Sequence, residues 1–125
     1  MRSLADNRAT VLVVDDHAGL RVSLHRLLQR WGYAVLLAEN GAAAFEHLRA
    51  GRVDVIILDM DMPVMNGLAF LAARATDRVL SRVPVVVYSA DPQPAAVPRG
   101  VSAWIWKGNE SSQLLAALEA ALAPA

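Results

Sequence analysis

Five short apolar runs, separated by stretches of helical periodicity, constrain this chain more than any other feature. "TVLVVD" (10–15), "YAVLLAE" (33–39), "VDVIILD" (53–59), "VPVVVYS" (83–89) and "SAWIWK" (102–107) are mostly continuous rather than alternating. A strand that is apolar at every position is buried on both faces, which is the mark of a parallel sheet with helices on either side. Between the runs lie helical patterns. In "AGLRVSLHRLLQRW" (18–31), Leu20, Leu24, Leu27, Leu28 and Trp31 fall on one helix face, and Gly32 is placed to end it. "GAAAFEHLRA" (41–50, with Gly51 after it), "GLAFLAARAT" (67–76) and "SSQLLAALEAAL" (111–122) supply the other helices, the last with Ser111 as N-cap. Strand alternating with helix implies right-handed crossovers and an α/β layer structure. Pro84 is restricted to the start of its strand.

One segment breaks the alternation. "ADPQPAAVPRG" (90–100) stands where another helix belongs, but Pro92, Pro94 and Pro98 each remove a donor and restrict the preceding residue. No regular helix longer than a turn is expected there. The 125 residues suit one domain, with a core at about 10–122. Hydrophobic residues make up 55% and charged residues 19%, which excludes a disordered chain. No apolar run nears the roughly 18 to 20 residues of a membrane span. The opening "MRSLADNRAT" has no apolar region of a secretory signal. The closing "APA" reads as a frayed end or a cut linker. There are no cysteines, so disulfides and thiolate metal sites are excluded. Basic and acidic residues balance at 12 each, and no charge excess draws the chain to nucleic acid or membrane.

In a parallel sheet the strand carboxyl ends share one edge, where ligands bind. Here they deliver Asp15 and Asp16, Asp59 with Asp61 just beyond, Ser89, and Lys107. A polar residue at a strand end is ordinary; the combination is not. Clustered carboxylates repel one another, and a hard divalent cation relieves that repulsion. Mg²⁺ prefers oxygen ligands and commonly sits between carboxylates and a phosphate. A carboxylate is also a competent nucleophile towards phosphorus. An ammonium and a hydroxyl can neutralise and hydrogen-bond the transferred group. The set therefore reads as a phosphoryl-accepting site.

"VLVVDD", "ILDMDMPVMNG", "VVVYSA" and "WIWKG", in that order, resemble the response-regulator receiver domains of two-component signalling, from about Thr10 to Leu122. The resemblance implies a flavodoxin-like, doubly wound five-stranded parallel sheet of order 2-1-3-4-5. It implies that Asp59 is the phosphoacceptor, that Asp15, Asp16 and Asp59 hold Mg²⁺ with the backbone carbonyl of Asp61, and that Lys107 pairs with the phosphoryl oxygens or with Asp59. Ser89 would be the switch hydroxyl, with small Ala90 beside it. Trp104 takes the place of the family's rotating Tyr or Phe. Further implications are a histidine kinase or phosphotransfer protein as donor, a downstream protein target, a possible homodimer, a cytoplasmic setting, and no direct contact with nucleic acid or membrane. Such a module catalyses only its own phosphorylation and dephosphorylation and is not a turnover enzyme.

Two departures stand out. The family usually has Pro after its lysine, commonly with a cis bond, where this chain has Gly108. A non-proline cis bond costs about 2.5 to 4 kcal/mol, so a trans bond is expected, with unusual Gly108 dihedrals in compensation. The segment from Ser89 to Lys107 is also short, so the family's fourth helix is atypical or missing and output through that face is altered. Asp61 and Asp91 each lie two residues past a site residue and either tune phosphoryl lifetime or are plain loop acids. Two other readings compete. A degenerate receiver would act as a phosphate-independent interaction module. A haloacid-dehalogenase-type phosphatase is suggested by "DMDM", but in that family the acid pair follows the Asp-x-Asp strand rather than preceding it. Among single residues, His17 reads as a loop residue rather than a metal ligand. His25 and His47 read as surface positions, and Met60, Met62 and Met65 as packing for the loop. Asn66 reads as a helix N-cap, and Trp106 as either a partner contact or partly buried.

Overall fold

The computed structural model describes residues 8–124; most of the opening stretch and Ala125 of "APA" lie outside them. The order is β1 (Thr10–Val14), α1 (Ala18–Arg30), β2 (Ala34–Ala38), α2 (Gly41–Ala50), β3 (Val55–Leu58), α3 (Gly67–Ala75), a 3₁₀ turn (Leu80–Arg82), β4 (Val85–Ser89), β5 (Val101–Trp106) and α4 (Ser111–Leu122). The strands form one parallel sheet in the order β2-β1-β3-β4-β5, as expected for the flavodoxin-like fold. Among the described residues no helix is long and apolar enough to cross a membrane.

β1 and β3 are buried along their whole length, which is why they read as unbroken apolar runs. Alternate side chains feed two cores. Leu12, Val14, Ile56, Leu58, Val85 and Val87 meet α2 and α3 through Phe45, Leu48, Phe70 and Leu71. Val11, Val13, Val55, Ile57 and Val86 meet α1 and α4 through Leu24, Leu28, Leu114 and Leu118. Each buried aliphatic chain contributes about 1.5–3 kcal/mol relative to exposure, so this double burial dominates the stability of the sheet.

Local signals set the helix ends. α1 stops at Trp31 because Gly32 takes φ +91°. Its N–H then donates to the Gln29 carbonyl, and that of Tyr33 to the Leu28 carbonyl. That is the paired C-terminal capping pattern that a left-handed glycine permits. His17 opens α1, its Nδ1 accepting from the Leu20 N–H at 3.0 Å. Asn40 and Asn66 cap α2 and α3 in the same way. Ser111 is not the cap of α4. Glu110 occupies that position without a side-chain cap bond, and Ser111 is the first helical residue.

Strand limits are shorter than the apolar runs. Val53 and Asp54 precede β3, and the Asp54 carboxylate accepts the Thr10 N–H at 2.7 Å. β5 begins one residue earlier than its run, at Val101, and carries a register shift against β4. One extra residue at a bulge turns successive side chains over. Val101 and Trp104 therefore join the α2/α3 side, whereas Ala103 and Ile105 face α1 and α4.

Residues 90–100 contain no helix, in accord with their prolines. Among the described residues no helix stands between β4 and β5. The indoles of Trp104 and Trp106 reach back instead to the connecting segment, donating to the carbonyls of Asp91 (3.1 Å) and Ala90 (3.0 Å).

The far end of that segment is held by a residue the sequence pattern does not mark. Arg74, in α3, is buried, and its guanidinium donates to the carbonyls of Ser81 (2.8 Å) and Val83 (2.6 Å from Nη2, 3.2 Å from Nε). A Cβ at Gly100, which has φ +85°, would stand 2.7 Å from Nη1, so the chain passes directly over the arginine. Burial lowers the pKa of Arg74. Arg74→Met is expected to lower unfolding free energy by about 1–3 kcal/mol, because it strips both carbonyls of their partner. Urea denaturation of both proteins checks this.

Candidate functional site

Backbone ladders place the reactive groups at one edge. The Asp15 N–H donates to Ala38 O (3.1 Å), that of Asp59 to Val14 O (2.9 Å) and that of Lys107 to Ser89 O (2.7 Å), so each residue is fixed by the strand beside it. Asp15, Asp59 and Ser89 are buried, Asp16 is exposed, and Lys107 lies between. Carboxylate oxygens of Asp15, Asp16 and Asp59 lie within 4.8 Å of one another and together could hold a metal ion. The Asp61 carboxylate stands outside that group. The Lys107 ammonium sits 3.0 Å from Asp15 Oδ2 and 3.7 Å from Asp59 Oδ1. Five of the expected site residues thus converge, coming from four strand ends.

Main-chain donors refine the arrangement. The His17 N–H donates to Asp15 Oδ1 at 2.9 Å, so His17 orients a carboxylate and caps a helix rather than offering a ligand. Arg21 donates to the Asp15 carbonyl at 2.8 Å, a partner that the sequence reading missed. Its position, six residues after Asp15 in the first turns of α1, is the signal that could have found it. The Asp61 N–H donates to Asp59 Oδ1 at 3.3 Å. The Asp91 N–H donates to Ser89 Oγ at 3.1 Å, while its carbonyl accepts from Trp104. The contacts of Asp61 and Asp91 at the site are therefore through the backbone; both side chains are exposed.

The Asp59 pKa is raised from 3.8 to about 6. Burial is the largest cause and Asp15 the next; Lys107 and the Asp61 N–H oppose them, and Asp16 adds a little to the rise. At neutral pH the carboxylate is thus ionised but held at a cost, in the charge state a nucleophile requires.

The loop after β3 is tightly built. Met62 is buried, and Met60 and Met65 pack on the α2/α3 core, as expected. The Met65 N–H donates to Pro63 O at 2.7 Å, closing a three-residue turn around Val64 at φ +69°. A β-branched residue in that region is strained by about 1–3 kcal/mol. Gly67 opens α3 against the chain it follows. A Cβ there would lie 2.7 Å from Met60 Cα and 3.1 Å from Asp59 O, so only glycine lets the helix start so close to the site. Gly108, expected to have unusual dihedrals, does not have positive φ, and no cis bond occurs among the described residues. Its constraint is space: an added Cβ would collide with the Trp106 ring.

Comparison with known proteins agrees with this geometry. The family model described as "Response regulator receiver domain" matches residues 11–119. The chain is 37% identical over 117 residues to the transcriptional regulatory protein PrrA of Mycobacterium tuberculosis, a match covering 90% of this chain and 49% of that protein. It is 44% identical over 81 residues to a protein-glutamate methylesterase/protein-glutamine glutaminase of Anaeromyxobacter dehalogenans, covering 63% of this chain and 22% of the other. It therefore spans half or less of these curated relatives. Among solved structures it is similar to the chemotaxis response regulator CheY4 of Vibrio cholerae (30% identity, TM-score 0.83, covering 93% of this chain and 100% of that one). It is also similar to the response regulator TrrA of Thermotoga maritima in complex with Mg²⁺-BeF (25% identity, TM-score 0.82, covering 90% and 98%). The family match is to receiver domains, and the acid pair follows β1, ahead of the strand that leads into "DMDM".

Because Asp59 binds its proton more tightly folded than unfolded, its contribution favours folding at low pH and is lost as pH rises through about 6. Asp59→Asn removes that cost. In metal-free buffer the variant is expected to be more stable than the parent at pH 7, by about 1–3 kcal/mol, with the difference shrinking towards pH 3.5. Denaturation of both proteins across that range measures it.

Proposed function

The chain belongs to the response regulator receiver family, and from that premise we propose that it is a signalling module which accepts a phosphoryl group on Asp59. Receiver domains take phosphoryl groups from histidine kinases and act on downstream targets; the donor here is a histidine kinase or a phosphotransfer protein. The carrying observation is the convergence of Asp15, Asp16, Asp59 and Lys107 at one sheet edge. All of these belong to a single receiver domain with its core at about 10–122.

The reaction follows from the positions. An Asp59 oxygen attacks phosphorus, a new P–O bond forms, and the bond to the donor breaks with its electron pair leaving on the donor. The donor set of three clustered carboxylates fits a hard divalent cation, and Mg²⁺ is the proposed one, held by Asp15, Asp16 and Asp59 with the Asp61 carbonyl. When bound, it offsets negative charge on the carboxylates and the phosphoryl oxygens. Lys107, already 3.7 Å from Asp59, pairs with the transferred group. Ser89 leaves the Asp91 N–H to hydrogen-bond a phosphoryl oxygen. That move frees the N–H of Asp91, the residue whose carbonyl accepts from Trp104, and so carries the signal to β5. The carboxylates of Asp61 and Asp91 tune the lifetime of the acyl phosphate. Catalysis is confined to the chain's own phosphorylation and hydrolysis.

A second reading has support in the segment between β4 and β5. With no helix there and both indoles tied to it, the domain could act as a phosphate-independent interaction module. One experiment separates the two. Incubation with acetyl phosphate and Mg²⁺ is expected to add one phosphoryl mass to the parent and none to Asp59→Ala, read by intact-mass spectrometry. No gain in a folded parent selects the second reading.

A further inference from the structure

The Lys107 ammonium must be held against Asp15 and Asp59, yet it emerges from a turn with little intrinsic stiffness. The Asn109 N–H donates to Trp106 O at 2.9 Å, closing a four-residue turn with Lys107 and Gly108 at its centre. Neither central residue has positive φ, which excludes the turn types that glycine favours. Glycine also leaves the unfolded chain more freedom to lose. A proline, usual at this place in the family, would bring its own rigidity; here rigidity must come from elsewhere.

Two contacts of one side chain supply it. The six-membered ring of Trp106 lies on Gly108, where an added Cβ would collide with Cη2, Cζ3 and Cζ2. The same indole donates from Nε1 to Ala90 O at 3.0 Å. Ala90 lies between Ser89, whose hydroxyl and carbonyl both face this region, and Asp91, which donates to that hydroxyl. Trp106 is 48% exposed, so hydrophobic burial alone does not explain a tryptophan here. Its neighbour on the same face, Trp104, repeats the gesture to the next carbonyl along.

We propose that Trp106 is a positioning residue for the phosphoryl site, a strut that holds the Lys107–Gly108 turn and the Ser89–Asp91 turn together in place of a helix and of a rigid residue after the lysine. The idea rests on the phosphoacceptor reading only for its rate consequence; the strut itself is a matter of geometry. A glycine at position 108 is required because the ring occupies the space of its missing Cβ.

The test is a double-mutant cycle on the full chain, using Trp106→Ala, Gly108→Ala and both together, with Trp106→Phe as the variant that keeps a ring. Circular dichroism and thermal melts confirm folding. Phosphorylation by acetyl phosphate with Mg²⁺ is followed by intact mass. Trp106→Ala is expected to slow it about tenfold or more, as misplacement of a charge-stabilising group does. Gly108→Ala slows the parent too, but adds nothing in the Trp106→Ala background, because the ring it collides with is gone. Trp106→Phe recovers most of the rate. A parent-like rate in Trp106→Ala, additive penalties, or a Phe variant no better than Ala would overturn the proposal.

If the parent itself takes no phosphoryl group, the phosphoacceptor reading fails and amide hydrogen exchange decides the strut alone. The Lys107 and Asn109 amides are expected to exchange about fivefold faster or more in Trp106→Ala, the factor carried by one lost hydrogen bond. Unchanged exchange at both amides overturns it.

Discussion

Negative charge crowded onto one edge of a sheet is the constraint around which this molecule is organised. Asp15 and Asp59 are buried, and Asp16 stands close enough to share an ion with them. Repulsion and lost hydration both oppose that arrangement. The opposing contributions are few: the Lys107 ammonium, and the N–H groups of His17 and Asp61. None of these would reach the carboxylates unless four strands ended in register. The sheet is therefore a device for holding charges where they would not stay by themselves.

The central strands β1, β3 and β4 were legible because burial on both faces leaves a signature that needs no partner to interpret; the edge strands β2 and β5 are only partly buried. The bounds of α2 and α4 were legible to the residue, with Gly41 and Gly51 marking α2 and Ala123 with Pro124 marking the end of α4. The missing helix was legible as well, because three prolines in eleven residues forbid it whatever the surroundings. Carboxylates, hydroxyl and lysine could be assigned to one edge from strand direction alone.

What escaped the sequence depends on contacts between distant segments. Arg74 looks like any arginine near a helix end, and only the fold shows its guanidinium donating three hydrogen bonds to main-chain carbonyls. Gly67 and Gly108 invite an argument from backbone freedom, but neither has positive φ, and both are glycine because another group occupies the space. Ser111 has the right chemistry for a cap and sits one residue too late. The bulge that turns Val101 to the α2/α3 side leaves no mark in composition.

Arg74 and Asp59 are the two ends of one helix's environment: α3 begins beside the acid and ends with the arginine. A guanidinium keeps its charge throughout the physiological range even when burial lowers its pKa. The Asp59 carboxyl changes charge near pH 6. Mild acidification thus alters the charge at the site edge, while the Arg74 anchor at the opposite edge keeps its own. The domain is in this sense polar in its response to the medium: a proton is taken up at Asp59 where the strands end, while the guanidinium that fastens the approach to β4 stays charged.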